Sequence, residues 1–429
     1  MKLSALFVSD AILSLPANQL EVDLLHLNSH SDYGKSLADA DAEVLGQFAP
    51  REVERFLSHW PHHRPTPLLG LPSLANRIGV RSIHMKDESR RHGLGSFKAL
   101  GGGHAVVRLL LEEAERSIGR RIDVGELHQP DVRAVAAGMT IGCATDGNHG
   151  RSVAEGARLV GAKARIFVHD GVSARRIDAM VQIGAEVIRV TGTYDDAVAE
   201  AARICAENEW LLVSDTSWPG YERIPRLVMQ GYTVLAHEAL QAMADPPTHV
   251  FIQAGVGGLA AAVAGYLAIL LGANRPTFVV VEPSRAACLL ESIRAGRPLK
   301  IDHGAATVMA MLECYEPSLV AWRVLSRAAD AFMTIDDEDA VMVMNLLARP
   351  TGADPAIVAG ESGGVGLAGM LRVAGDANQR TALRLDAHSR VLVVNTEGAT
   401  DPGCYEKLVG LTPDAVLSNM SPQSNGSCR

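Results

Sequence analysis

Three glycine-rich segments of this chain each follow an apolar run, and that recurrence limits the folds open to it. Thr145-Asp146-Gly147-Asn148-His149-Gly150 comes after the apolar stretch 134–138. Gln253-Ala254-Gly255-Val256-Gly257-Gly258 comes after His249-Val250-Phe251-Ile252, and Asn395-Thr396-Glu397-Gly398 after Val391-Leu392-Val393-Val394. A strand that ends in glycine-rich backbone and opens a helix makes an anion cradle from unpaired N–H groups. Upstream, Lys86-Asp87-Glu88-Ser89 runs on through Gly93-Leu94-Gly95-Ser96-Phe97-Lys98 to Gly101-Gly102-Gly103. This places Lys98 between a glycine-spaced loop and a helix start, with a fixed stem and an amine free to face a cavity. An amine that forms a Schiff base needs that setting. A lone lysine is more often a solvated one on an amphipathic helix. The company of the other three loops argues for chemistry.

The rest of the pattern alternates. Ala164-Arg165-Ile166-Phe167-Val168 reads as a strand, followed by a helix over 173–183. Glu186-Val187-Ile188-Arg189-Val190 is a strand, then 194–207 a helix. Leu211-Leu212-Val213 is a short strand before a helix over 225–243. Segments 249–252, 278–281 and 391–394 are β-branched runs bounded by Gly or Pro. Short buried strands between helices imply βαβ units and a parallel sheet, with ligands at the carboxyl ends of its strands. The segment before Tyr33 and the Ser/Asn-rich tail from Ser418 are expected to be peripheral or frayed.

Composition excludes several classes. Of 429 residues 47% are hydrophobic, enough for a large core, and net charge is −9 with no dense Lys/Arg run. That argues against a nucleic-acid footprint, as does an aromatic content of 4%. Six cysteines (Cys143, Cys205, Cys288, Cys314, Cys404, Cys428) include no Cys-x-x-Cys pair and make no disulfide scaffold. The N-terminus has no secretion-signal pattern, so a cytoplasmic protein is expected. The longest uncharged apolar stretch, 256–271, falls short of the ~20 residues of a membrane span and reads as a buried helix, apolar on all sides.

The chain resembles the fold-type II pyridoxal-phosphate enzymes, which include threonine dehydratase, and within them the diaminopropionate ammonia-lyase branch. The resemblance is carried by Lys86-Asp87-Glu88-Ser89, Phe97-Lys98-Ala99-Leu100-Gly101-Gly102, Thr145-Asp146-Gly147-Asn148-His149-Gly150-Arg151, Asp215-Thr216-Ser217-Trp218, Met229-Gln230-Gly231-Tyr232, Gln253-Ala254-Gly255-Val256-Gly257, Gly360-Glu361-Ser362-Gly363 and Thr396-Glu397-Gly398-Ala399-Thr400-Asp401. It runs from about Pro61 to Asp401. The fold it implies is α/β and tryptophan synthase β-like, with two open, twisted, mostly parallel sheets and helices on both faces. The implied division is a peripheral segment 1–60, a large cofactor domain of 61–130 with 250–415, a smaller α/β domain 131–249 and a tail 416–429. The implied activity is α,β-elimination of 2,3-diaminopropionate, or a similar β-substituted alanine, to pyruvate and ammonia. A serine/threonine or hydroxyaspartate dehydratase and a non-catalytic pyridoxal-phosphate binder are the alternatives. A homodimer acting on a small amino acid, with neither a membrane nor a metal ligand set, completes the expectation.

The resemblance assigns roles residue by residue. Lys98 bonds the cofactor's aldehyde, while Lys86, beside an Asp-Glu pair at a strand end, is structural. The backbone of Gly255, Val256, Gly257, Gly258 and Leu259 holds the phosphate. Asn148 bonds the phenolic oxygen, or caps the helix that begins near His149. Thr396, with Asn395 next to it, is the candidate neutral partner of the pyridine nitrogen, and the sequence leaves open which of the two side chains reaches it. Asp146 and Asp215 pair with a second, cationic amine or act as bases; otherwise they cap turns. Ser96 lies in the loop that holds the substrate carboxylate. It also stands in a departure from the branch, as Gly95-Ser96 replaces the expected Asn-Ala. Met311, Glu313 and Tyr315 are larger or charged where small residues are expected, which would reshape the substrate pocket.

Overall fold

The β-branched runs assemble into two sheets. The computed structural model describes residues 25–61, 63–145 and 147–418. Its strands are β1 (Leu25–Leu27), β2 (Leu68–Gly70), β3 (Ser82–Asp87), β4 (Thr140–Ala144), β5 (Lys163–His169), β6 (Glu186–Val190), β7 (Leu211–Leu212), β8 (His249–Gln253), β9 (Thr277–Pro283), β10 (Ala331–Ile335) and β11 (Arg390–Asn395). Seven form a sheet in the order β1-β10-β9-β8-β11-β3-β2, and four form a second in the order β6-β5-β4-β7. The inner five strands of the larger sheet are parallel and its two edges antiparallel, while the smaller sheet is parallel throughout. The central strands β8 and β10 are buried at every position. Their continuous apolar character is what a sheet covered by helices on both faces requires.

Three helices bridge the sheets at close range, and glycine makes this possible. The helix Lys98–Ile118 packs against Asn148–Val160 and Arg223–Ala242. A Cβ at Gly156 would stand 2.8 Å from the Gly103 Cα, and one at Gly231 would overlap the Leu100 carbonyl oxygen and lie 2.8 Å from the Gly101 Cα. Backbone, unlike a side-chain tip, cannot step aside. The glycine triplet after Lys98 is therefore a packing device that lets the lysine's own helix be gripped on two faces.

The structure corrects three local expectations. The apolar stretch 134–138 is not a strand. It ends the helix Pro130–Gly138, with Pro at its first position and Val132 and Ala136 buried four residues apart, and the strand that delivers the next loop is β4. Residues 25–60 are not peripheral. β1 pairs with β10, Asn28 donates to the Ser326 and Ala329 carbonyls at 3.0 and 2.8 Å, and Leu45, Val53, Phe56 and Leu57 are core residues. The helix Gly258–Leu271 is buried only as far as Leu267, and Ile269 and Leu270 emerge at 37% and 40% exposure. No described helix is long and apolar enough to cross a membrane. Cys143, Cys205, Cys288 and Cys404 are free thiols.

Lys86 is spent on structure. With Arg91 it faces Glu88 and Glu238 in a buried cluster: Lys86 Nζ reaches Glu238 Oε2 at 2.5 Å and the Thr66 carbonyl at 2.7 Å, and Arg91 forks onto both carboxylates at 2.6–2.9 Å. Two cations meet two anions, so no buried charge is left over.

Gly231→Ala should lower stability by about 1–3 kcal/mol through overpacking against backbone. Equilibrium urea unfolding, compared with Gly138→Ala, where a Cβ meets nothing within 4 Å, measures the difference.

Candidate active site

The glycine loops converge at the carboxyl ends of β4, β7, β8 and β11, where a cavity opens between the two sheets. Its empty volume, with the open solvent at the mouth included, is about 890 Å³. Lys98, Asn148, Asp215, Thr396, Glu397 and the backbone from Gly255 to Leu259 all line it.

Lys98 is the first residue of its helix, and its ammonium forms an ion pair with the Asp215 carboxylate. The side chains are 22% and 12% exposed, so the pair looks into the cavity from an otherwise closed floor. Burial alone would lower the Lys98 pKa; the Asp215 charge overrides it and holds the amine well above its ordinary value. Burial likewise pushes the Asp215 carboxyl up, and the Lys98 charge more than reverses this. Such a pair stabilises the fold between the ordinary carboxylate and lysine ranges. That stability fades as pH falls through the depressed Asp215 value or rises through the elevated Lys98 value. The loop carrying Asp215 is fixed by Ser217, whose hydroxyl meets that of Ser318 at 2.6 Å and accepts the Val320 N–H at 2.9 Å.

The Gly255–Leu259 backbone forms the opposite wall. Gly257 takes a left-handed φ of +98° as it caps the helix Gly258–Leu271, leaving that helix's first N–H groups toward the cavity. Gly255 is crowded by its neighbours in the cavity wall: a Cβ there would lie 2.9 Å from Cys314 Sγ and 3.4 Å from the Leu312 Cα.

The loop after β11 is knit to the loop before Lys98. The Phe97 N–H donates to the Thr396 carbonyl and the Gly398 N–H to the Gly95 carbonyl, both at 3.0 Å, and Ser96 and Glu397 form a β-bridge. Ser96 itself is not brought into the cavity. As the chain alternates through this bridge its hydroxyl turns back to accept the Lys98 N–H at 3.3 Å, in a buried position. Thr396 faces the cavity while Asn395 turns away, donating to Asp87 Oδ1 at 2.8 Å and the Val358 carbonyl at 3.1 Å. Asn148 opens its helix without capping it, its carboxamide donating to Glu397 Oε2 at 2.6 Å. His149 meets the Val213 carbonyl at 3.0 Å and is pushed below its ordinary pKa by burial, which leaves a neutral packing imidazole. Asp146 lies outside the described residues.

Sequence reasoning missed Ser362, Gln253 and the side chain of Glu397. Ser362 lines the cavity with a buried hydroxyl that has no partner among the described residues. Gln253 donates to Thr396 Oγ1 at 3.0 Å and the Gly363 carbonyl at 2.6 Å, fixing that wall. The signal was present, since all three stand inside the quoted glycine motifs. Of the enlarged residues, Met311 lines the inner cavity. Glu313 and Tyr315, hydrogen-bonded to each other at 2.8 Å, line a wider outer chamber that shares Tyr194, Val256 and Cys314 with it.

Comparison with known proteins agrees with this geometry. Residues 59–397 match the family described as pyridoxal-phosphate dependent enzyme. The chain is 40% identical to diaminopropionate ammonia-lyase of Escherichia coli K12 over 374 residues, covering 85% of this chain and 92% of that one. This chain belongs to the diaminopropionate ammonia-lyase family. A crystal structure of the Escherichia coli lyase, described as a complex with the aminoacrylate-PLP azomethine reaction intermediate, superposes at TM-score 0.80 with 36% identity, covering 91% of this chain and 98% of that one. The same lyase in complex with D-serine superposes at TM-score 0.80 with 35% identity, over 90% and 96% of the two chains.

Pyridoxal phosphate is the family's cofactor, and the residues here fit it. An amine sits at the floor, unpaired helix N–H groups at one wall and an unpartnered hydroxyl at another.

Asp215→Asn removes the charge that holds Lys98 up and leaves burial to push it down, below the ordinary 10.5. Each unit of fall raises the neutral-amine fraction about tenfold. In cofactor-free protein at neutral pH, acetylation of Lys98 followed by peptide mapping should run at least about tenfold faster in the variant.

Proposed function

We propose that this chain eliminates ammonia from 2,3-diaminopropionate. The product, aminoacrylate, takes up water to give pyruvate and a second ammonia. The observation that carries this reading is the Asp215 carboxylate in contact with the Lys98 amine. A substrate with a cationic β-amine needs an anion at the point where its β-carbon meets the base, and a hydroxylated substrate does not.

Pyridoxal phosphate, when bound, withdraws electrons from the substrate's α-carbon. Lys98 would hold the cofactor's aldehyde carbon before substrate arrives; once released, with Asp215 paired to the substrate's β-ammonium instead of to it, Lys98 would take the α-proton. Asp215 pairs with the β-ammonium and so positions the leaving group. Gly255, Val256, Gly257, Gly258 and Leu259 anchor the phosphate through backbone N–H groups. Thr396 and the unpartnered Ser362 hydroxyl offer only neutral groups to the ring nitrogen, and this favours elimination over transamination. Asn148 serves the phenolic oxygen. Asp146 is the second base, assigned from its place between Thr145 and Asn148 in sequence, both of which line the cavity.

Assay of both diaminopropionate enantiomers, serine, threonine and hydroxyaspartate for pyruvate and ammonia tests the reading. Diaminopropionate should release two ammonia per pyruvate and serine one. Activity confined to hydroxylated amino acids would reassign the chain as a dehydratase. Borohydride treatment should fix the pyridoxyl group on Lys98, and an adduct on Lys86 would overturn that role.

The two aspartates separate by substrate. Asp215→Asn should reduce kcat/KM for diaminopropionate far more than for serine. Asp146→Asn should fall mainly on D-diaminopropionate, by about 10²–10⁴-fold for a general base. Equal losses on both enantiomers would remove Asp146 from that role.

A further inference from the structure

Glu397 is a buried carboxyl with a half-finished set of hydrogen bonds. It is 2% exposed, its Oε2 accepts from Asn148 Nδ2 at 2.6 Å, and its Oε1 has no partner among the described residues. Both residues line the reaction cavity. The charged groups facing Glu397 are Glu361, equally buried and with an unpartnered Oε2, and Arg176, 3.6 Å from Glu361. Asp401 faces Glu361 in turn, and Lys98 and Asp215 stand elsewhere in the cavity wall. Two buried carboxyls that share one cation at that range resist ionising together. Burial first, then the Glu361 charge, push Glu397 up to about 8 against the pull of Arg176 and Asn148.

We propose that Glu397 is a positioning residue that decides which end of the Asn148 carboxamide faces the bound cofactor. A carboxamide offers donors at one end and an acceptor at the other. Ionised, Glu397 only accepts, so it holds the NH₂ end and turns Oδ1 away from itself. Protonated, it donates to Oδ1, and the carboxamide turned half a revolution shows its NH₂ end to the cavity, where a phenolic oxygen accepts it. The proton stays on Glu397 and no covalent bond changes. The inference rests on the pyridoxal-phosphate reading above.

The test is the visible absorbance of the bound cofactor followed from about pH 6 to about pH 10 in wild type, Glu397→Gln, Glu397→Asp, Asn148→Ala and the double variant Glu397→Gln/Asn148→Ala. Cofactor stoichiometry is measured on the same samples. Wild type should show a transition near pH 8 that Glu397→Gln removes or moves by about one unit or more. Glu397→Asp, which keeps the charge without the reach, should behave as Glu397→Gln does. The double variant should match Asn148→Ala alone, because the effect passes through that carboxamide. Independent, additive changes would overturn the proposal by making the role merely structural. A transition unchanged in Glu397→Gln, with full cofactor bound, would also overturn it and leave the cofactor reading intact. Wild-type protein that binds no pyridoxal phosphate would overturn both. Should Glu397→Gln not fold, Glu361→Gln decides: removing the like charge should move the transition to lower pH, and an unmoved midpoint would sink the idea.

Discussion

One ammonium and one carboxylate, withdrawn together from water, hold the centre of this molecule. Lys98 starts the helix that packs against Asn148–Val160 and Arg223–Ala242, and Asp215 follows the short β7 of the smaller sheet. Neither ion is tolerable there alone, so each fixes the other's place and protonation state. The supports around the pair serve the same end. Glycines draw three helices close enough to grip the Lys98 stem, and the Ser217–Ser318 contact fixes the Asp215 loop from the larger body. The reactive amine is thus placed by packing that spans the chain rather than by its own loop.

Much of this was legible in the sequence because glycine and β-branched residues carry local meaning. β6 and the helix Tyr194–Glu207 fall at the positions their periodicity implies, since Thr193 and Asp196 form a capping box and Gly192 precedes them. Lys98, Asp215, Asn148, Thr396 and the Gly255–Leu259 backbone come together as the motifs imply. The errors were of a different kind. Stretch 134–138 is apolar enough for a strand, and only its partners distinguish a buried helix from one. The burial of α-helical residues before Trp60 depends on distant surfaces that no local pattern records.

Side-chain direction was the hardest property to read. Ser96, Phe97 and Lys98 are consecutive, yet the first turns inward to the backbone and the last into the cavity. Asn395 and Thr396 divide in the same way, one toward Asp87 and one toward the cavity. Alternation across an extended segment sends Asn395 and Thr396 to opposite sides, whereas the helical turn at Phe97 parts Ser96 from Lys98; the bridge that fixes both segments joins residues some three hundred apart. A motif names the right loop without naming which of its side chains is presented.

The segment from Met309 to Pro317, irregular beside the pattern expected of the branch, does two jobs at once. Its Leu312 backbone and Cys314 sulfur press against Gly255 where a methyl group would not fit, while Glu313 and Tyr315 face the outer chamber. On the roles proposed above, substrate preference and anchorage of the phosphate share one piece of chain. Evolution at this rim is mechanically tethered: an exchange that widens the entrance also loosens the back of the cradle, and new specificities are open only to sequences that keep that pressure on Gly255.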